Sequence, residues 1–225
     1  MKNVIITGTS RGIGLEMALQ FAAQGHQVLA ISRNIPVALT GKANIHCLSA
    51  DITKAVDLEI VNDYIKKAWT HVDILINNAG AIINKSFEDI TAEEFEYVYK
   101  VNVFAVASII QICLPYLNNG SHVVTISSMG GIQGSMKFPG LAAYSSSKGA
   151  VITLSELLAE EYKELGISFN VIALGAVQTE MLDEAFPGYL APVEPFEMAE
   201  YIVDFSQNGN KYFNGKVLQA SSTTP

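Results

Sequence analysis

A chain of 225 residues, 49% hydrophobic and 16% charged, has the composition of a folded globular protein, which excludes disordered and fibrous classes. At that length it can bury roughly 70% of its unfolded surface without disulfide or metal staples. A net charge of −8 argues against nucleic acid or an anionic membrane as partner. The two cysteines, Cys47 and Cys113, form no CxxC pair and are read as buried thiols of a reducing compartment, with no metal site expected. Met1-Lys2-Asn3 leads straight into a short apolar run ending at Thr7-Gly8, without the h-region of a secretory signal. No segment approaches 18 uninterrupted apolar residues, so no membrane span and a cytoplasmic location are expected.

The first predicted strand, 3–7, runs into Thr7-Gly8-Thr9-Ser10-Arg11-Gly12-Ile13-Gly14, followed by a predicted helix over 13–24 with Gly25 as its stop. Strand, glycine-rich turn and helix in that order let backbone N–H groups approach a pyrophosphate at a helix N-terminus. The spacing is G-x-x-x-G-x-G rather than G-x-G-x-x-G, so the turn alone is weak evidence. The second strand, 27–32, ends at Ser32-Arg33, and no Asp or Glu occurs between Glu16 and Asp51. An acidic residue at that strand end binds the ribose 2′-hydroxyl of NAD, whereas an arginine accommodates the 2′-phosphate of NADP. Arg33 and Arg11 are expected to converge on one phosphate, which favours NADP, with NAD still open. Two solvated surface arginines are the plainer alternative.

Further strands are predicted at 44–49, 72–77, 122–127, 168–174 and 216–219. Helices are predicted at 54–69, 92–100 continuing to about 117, 143–164 and 195–206. Thr91 with Glu94 is a capping box, and Gly166 stops the helix that begins at 143. Near-continuous apolar strands alternating with helices predict an α/β fold: a doubly wound, mostly parallel sheet of seven strands covered on both faces. No linker, charge block or repeat interrupts the rhythm, so one domain over 1–225 is expected. The stretches 130–140 and 178–193 fit neither period and are predicted as long functional loops. Asn77-Asn78-Ala79-Gly80 and Ser127-Ser128 fall at carboxyl ends of strands, the edge where open α/β sheets bind ligands. Asn102 interrupts an otherwise apolar helix. Tyr144-Ser145-Ser146-Ser147-Lys148 opens another with residues that disfavour a helix start. Each has a bland reading: a turn, a strand cap, a satisfied core amide, a surface i,i+4 pair.

Together these motifs resemble the short-chain dehydrogenase/reductase family from Thr7 to about Met181, and more weakly beyond. The resemblance is carried by TGTSRGIG at 7–14, Asp51, NNAG at 77–80, Asn102, Ser128, YSSSK at 144–148 and NVIALGAVQTEM at 170–181. It implies a Rossmann-type sheet, a nicotinamide cofactor, a small-molecule carbonyl or alcohol substrate, and a homodimer or homotetramer. It implies a general acid/base at Tyr144, a lysine at Lys148 that also holds the nicotinamide ribose, and a substrate-orienting serine at Ser128. Asn102 is implied as the anchor of a water in a proton path. Gly8, Ser10, Arg11, Gly12, Ile13 and Gly14 are implied around the cofactor phosphates, and Asp51 and Asn78 on its adenine side. Arg33, Ile52, Ala79, Gly80, Gly175, Val177 and Thr179 complete the implied contacts. Three departures from the family pattern stand out. Ser128 and Tyr144 are 16 residues apart, which enlarges the intervening loop. Leu174 replaces a proline before Gly175 and is expected to loosen the turn toward Thr179. The short chain after Met181 is expected to leave a reduced substrate lid.

Reducing a carbonyl requires a hydride at carbon and a proton at oxygen; the nicotinamide brings the first, and the protein must supply the second. A tyrosine with a pKa of about 10 is sluggish at neutral pH. An ammonium one helical turn away is expected to lower that pKa. The same stripe continues through Val151, Ser155, Leu158 and Tyr162, which places the Tyr144/Lys148 pair at the end of the buried face, with the serines as spacers on the other faces. Met129, Met136, Phe138, Leu141, Met181, Leu182 and Phe186 are candidates for an apolar substrate pocket, with Lys137 the only cation in those loops. The competing reading is a non-catalytic dinucleotide sensor or scaffold on the same fold. Nucleotide-sugar dehydration or epimerisation is a third.

Overall fold

In the computed structural model, which describes residues 1–221, seven parallel strands form one sheet in the order β3-β2-β1-β4-β5-β6-β7. They are β1 (Asn3–Thr7), β2 (Gln27–Ser32), β3 (Ile45–Ser49), β4 (Ile74–Asn77), β5 (His122–Ser128), β6 (Ser168–Leu174) and β7 (Val217–Ala220). The helices are α1 (Gly12–Ala23), α2 (Ala55–Ala68), α3 (Ala92–Tyr99), α4 (Ala105–Cys113), α5 (Ala142–Glu161), α6 (Glu180–Ala185) and α7 (Pro195–Asn208). The predicted seven-stranded, doubly wound architecture is the one observed.

Successive residues of a strand point to opposite faces, so a sheet covered twice needs apolar residues at every position. On β1, Ile5 joins a core with Val61 and Ile65 of α2, Ile109 and Ile110 of α4, and Val151 of α5. Val4 and Ile6 join the opposite core with Met17 and Phe21 of α1 and Ile202 and Val203 of α7. Local signals end the helices as expected. Thr91 Oγ1 accepts from the Glu94 N–H at 3.2 Å and Glu94 Oε2 from the Thr91 N–H at 3.0 Å. Gly25 and Gly166 turn the chain at φ 82 and 69.

Two segments depart from expectation. The helix predicted without interruption from 92 to about 117 contains a π-helical turn at Lys100–Phe104, where Asn102 is drawn inward by bonds described below. The run Ala92–Tyr116 is long and apolar enough, by length and composition, to cross a membrane. Here Ile109, Ile110 and Cys113 are buried in the core against the sheet, so it serves as a core helix. The second departure is α6, which lies inside the stretch predicted as loop. Thr179 caps it, its hydroxyl accepting from the Leu182 N–H at 3.3 Å, and none of its six residues is buried.

From β1 the chain winds outward through β2 and β3, then crosses back to β4 on the other side of β1. The reversal opens a crevice at the carboxyl ends of β1 and β4, where loops diverge to opposite faces. The glycine turn and Asn77-Asn78-Ala79-Gly80 both leave the sheet there.

Candidate active site

The glycine turn is fixed by the segment after β4. The Thr7 hydroxyl accepts from the N–H groups of Asn78 and Ala79, each at 3.1 Å. Asn78 Nδ2 donates back to the carbonyls of Thr7 at 3.0 Å and Gly8 at 3.1 Å. The result leaves no room for side chains: a Cβ on Gly14 would stand 2.2 Å from the Gly8 oxygen, and one on Gly8 2.7 Å from Ala79 Cα. Gly8 also has φ 75, a left-handed value that glycine tolerates best. Arg11 is the N-cap of α1, with no side-chain capping bond and no acid in the first turn. The positive end of that helix is therefore not satisfied by a capping side chain and suits an anionic ligand. A cradle with these donors and no space for a Cβ fits a dinucleotide.

Beyond the end of β3, Asp51 Oδ1 accepts from Thr53 N–H at 3.0 Å and Thr53 Oγ1 at 2.7 Å. Burial pushes this carboxyl upward, but the Thr53 bonds and the charges of Lys54 and Arg33 hold it below its ordinary range. Arg33 is exposed on the rim. The expected convergence of Arg11 with Arg33 is not the arrangement present, because the Arg11 guanidinium is forked onto the Glu184 carboxylate of α6, with Nη2–Oε2 at 2.9 Å.

Strand β5 and helix α5 are stitched together. Ser127 Oγ donates to the Lys148 carbonyl at 2.9 Å, and Lys148 Nζ donates to the Ile126 carbonyl at 2.8 Å. Lys148 is only 5% exposed, and its Nζ lies 5.8 Å from the centre of the Tyr144 ring. Ser128 stands close enough to Tyr144 to favour its phenolate, and Ser128 Oγ accepts from the Gly130 N–H at 3.2 Å. Gly131 lets the loop after β5 press on α5, since a Cβ there would lie 2.7 Å from the Lys148 carbonyl carbon. Burial lowers the Lys148 pKa to about 8. The expected lowering at Tyr144 is overturned. Burial raises its pKa and outweighs the opposing effect of Ser128, while the ammonium lies by the ring and bonds to Ile126.

Asn102 does not line the cleft. Its Oδ1 accepts from the Ala81 N–H at 2.8 Å, and its Nδ2 donates to the Ala81 carbonyl and to Ser147 Oγ, each at 2.9 Å. The side-chain amide thus clamps the chain after NNAG to α5. Ser147 Oγ in turn donates to the Tyr144 carbonyl at 2.7 Å, so this serine is a buried link and not a spacer. Ser146 is the exposed one, bonding back to Ala142 at 2.7 Å.

One cleft of about 300 Å³ gathers Ser128, Tyr144 and Lys148 with Gly8, Ser10, Arg11, Gly12, Ile13, Gly14, Arg33, Asp51, Ile52, Asn78, Ala79, Gly80, Gly175, Val177 and Thr179. Of the predicted apolar set, Met181 and Leu182 line it. Met129 is buried, Met136 is exposed, Phe138 and Leu141 border a separate groove, and Phe186 borders neither. Ile82, Tyr97 and Val101 line the cleft without having been foreseen. Tyr97 and Val101 are four apart just before Asn102, and that spacing is the signal that could have found them. Leu174 does not loosen its turn: it pairs with Ala220 across β7, and the Gly175 N–H donates to the Ala220 carbonyl at 3.0 Å.

The model of the short chain dehydrogenase family matches residues 2–189. A probable short-chain type dehydrogenase/reductase, VdlC, of Helicobacter pylori is 36% identical over 218 residues, spanning 96% of this chain and 77% of that protein. A glucose 1-dehydrogenase of Gluconobacter oxydans is 32% identical, spanning 96% of this chain and 89% of that one. Among solved structures, a short chain dehydrogenase from Burkholderia cenocepacia in complex with NADP superposes with a TM-score of 0.89 at 24% identity, over 99% of this chain and 97% of that one.

Proposed function

The chain belongs to the short-chain dehydrogenase/reductase family of oxidoreductases, and on that premise we propose that it couples NADP(H) to a small carbonyl or secondary alcohol, with Tyr144 as proton donor and acceptor. The observation that carries this reading is the meeting of Ser128, Tyr144 and Lys148 in the cleft that also holds the glycine turn. A nicotinamide, when bound, supplies or receives the hydride. The chain does the rest. Burial keeps the Tyr144 phenol protonated at neutral pH, the form needed to donate to a carbonyl oxygen. Ser128 hydrogen-bonds that oxygen and steadies its charge as it develops. Lys148, with a pKa of about 8, is mostly cationic at neutral pH and favours the phenolate left behind. Asn102 acts one step back as a positioning residue, through Ser147 to the Tyr144 carbonyl.

NADP is favoured over NAD because Ser32 and Arg33, not a carboxylate, stand at the end of β2 and because Arg11 lines the phosphate side. Asp51 Oδ1, the nearby acidic acceptor, is already engaged by Thr53. The substrate end offers Ile82, Tyr97, Val101, Met181 and Leu182, which suits an uncharged, modestly apolar carbonyl compound. A cytoplasmic dimer or tetramer completes the reading.

Tyr144→Phe tests it. NADPH titrated by fluorescence should bind within about twofold of wild type, while turnover on a carbonyl panel falls by about 10²–10⁴-fold. Retained turnover would remove Tyr144 from the chemistry. The same titration with NADH checks the cofactor preference; equal or tighter NADH binding would overturn the role given to Arg33 and Arg11.

A further inference from the structure

The helix α6 borders the cleft through Glu180, Met181 and Leu182, and none of its residues is fully buried. At its carboxyl end the Ala185 carbonyl accepts from Asn84 Nδ2 at 2.9 Å. On the phosphate side, Glu184 grips both terminal nitrogens of Arg11. Glu180, one turn earlier, sends its carboxylate toward the same place: a Cβ on Gly12 would stand 3.6 Å from Glu180 Oε2. Two carboxylates at i and i+4 disfavour a helix, and the chain already carries −8. Glu180 in the first turn suits the helix dipole, but Glu184 in the last turn opposes it, so the stability of α6 itself gives no reason for the second of these carboxylates. They face the glycine turn, whose one cationic side chain, Arg11, borders the uncapped end of α1.

We propose that Glu184 competes with a cofactor phosphate for Arg11, so that the guanidinium exchanges the α6 carboxylate for the phosphate on binding and returns to it on release. The inference rests on the dinucleotide reading and deepens it. A planar fork suits carboxylate and phosphate oxygens equally well, so one residue can serve both partners in turn. The exchange releases the phosphate-side fastening of α6 while Asn84 retains the other. Its consequence is a cofactor held less tightly than the glycine turn alone would hold it, and a faster departure. An exposed pair of this kind, with side chains 43% and 62% accessible, sets the size of the effect at about fivefold.

The experiment is a titration of wild type and Glu184→Gln with NADPH and with NADH, followed by nucleotide fluorescence, with dissociation rates from stopped flow. Glu184→Gln should lower the NADPH dissociation constant about fivefold, chiefly through slower release. Tightening for NADPH alone assigns Arg11 to the 2′-phosphate; equal tightening for NADH assigns it to the pyrophosphate. Hydrogen exchange on the nucleotide-free proteins gives a second readout, in which 180–185 should exchange faster in the variant. Unchanged or weaker binding in Glu184→Gln, with wild type binding normally, overturns the competition and leaves the oxidoreductase reading standing. Failure of the wild type to bind either nucleotide overturns both. Glu184→Ala should shift binding in the same direction and guards against an effect peculiar to glutamine.

Discussion

A buried basic group lies at each end of strand β5, its own His122 and Lys148 reaching in from α5, and the two are housed differently. At the amino end His122 is 1% exposed, with Nδ1 3.0 Å from the Ser206 carbonyl and Nε2 2.9 Å from Asn170 Nδ2. Asn170 Nδ2 also donates to the Phe213 carbonyl at 2.9 Å, and its Oδ1 accepts from the Lys216 N–H at 3.0 Å. That network closes on the main chain, and burial drives His122 to neutrality with a pKa of about 4. At the carboxyl end Lys148 has three N–H groups and bonds one carbonyl, Ile126, among the described residues. It keeps a pKa of about 8 and borders the cleft. A closed buried network specifies packing; one left open at the ligand edge is available for chemistry.

Breaking the open end should give the largest effect, with opposite signs for activity and stability. Lys148→Met removes the charge that favours the phenolate, so turnover should fall by about 10²–10³-fold. The fold should gain. The folded pKa of about 8 lies below the ordinary lysine value of 10.5, so the protein prefers the neutral amine. That contribution to stability is fully present above pH 10.5 and is lost as pH falls through 8, leaving a cost of about 3 kcal/mol at neutral pH. Urea unfolding at pH 7.5 should show the variant to be more stable, with the gap narrowing toward pH 10. A variant weaker on both counts would make Lys148 a structural residue like His122.

The same contrast explains what could be read in advance. Strands β1, β2 and β6 occur with the predicted bounds because they are buried on both faces, where apolar runs have one reading. The glycine turn is legible because its geometry excludes any side chain at Gly8 and Gly14. What escaped depends on tertiary partners. The π turn at Lys100–Phe104 exists because Asn102 reaches Ala81, a contact 21 residues away in sequence. Helix α6 is six residues, none fully buried, bonded to Arg11 and Asn84, too short for an apolar period to register. The upward shift at Tyr144 follows from burial that i,i+4 spacing alone does not reveal.

At the closed end the expected effect depends on pH. The folded pKa of His122, about 4, lies below the ordinary histidine value of 6.5, so the unfolded chain binds the proton more readily. Stability from this group is fully present above pH 6.5 and is lost as pH falls through 4, in all about 3 kcal/mol. Carboxylates titrate over the same range, so the useful quantity is the difference between wild type and His122→Gln in urea midpoints at pH 7 and pH 4.5. Wild type should lose more on acidification. An equal loss in both would show that the closed network tolerates the charge and would erase the contrast between the two ends of β5.

The smallest effect separates two adjacent serines of the open end. Ser147 is fully buried, accepting from Asn102 Nδ2 and donating to the Tyr144 carbonyl; Ser146 is exposed and bonds only within its own helix. Ser147→Ala leaves a buried amide donor of Asn102 unpaired, a loss that outweighs the better helix propensity of alanine by about 1 kcal/mol. Ser146→Ala removes a back-bond that slightly disfavours a helix, so its stability should stay within about 0.5 kcal/mol of wild type. Thermal unfolding of the two variants measures the difference. Equal values would mean that the chain from Ala81 through Asn102 and Ser147 does not help hold Tyr144 in place, and that the stitches at Ser127 and Lys148 position the helix on their own.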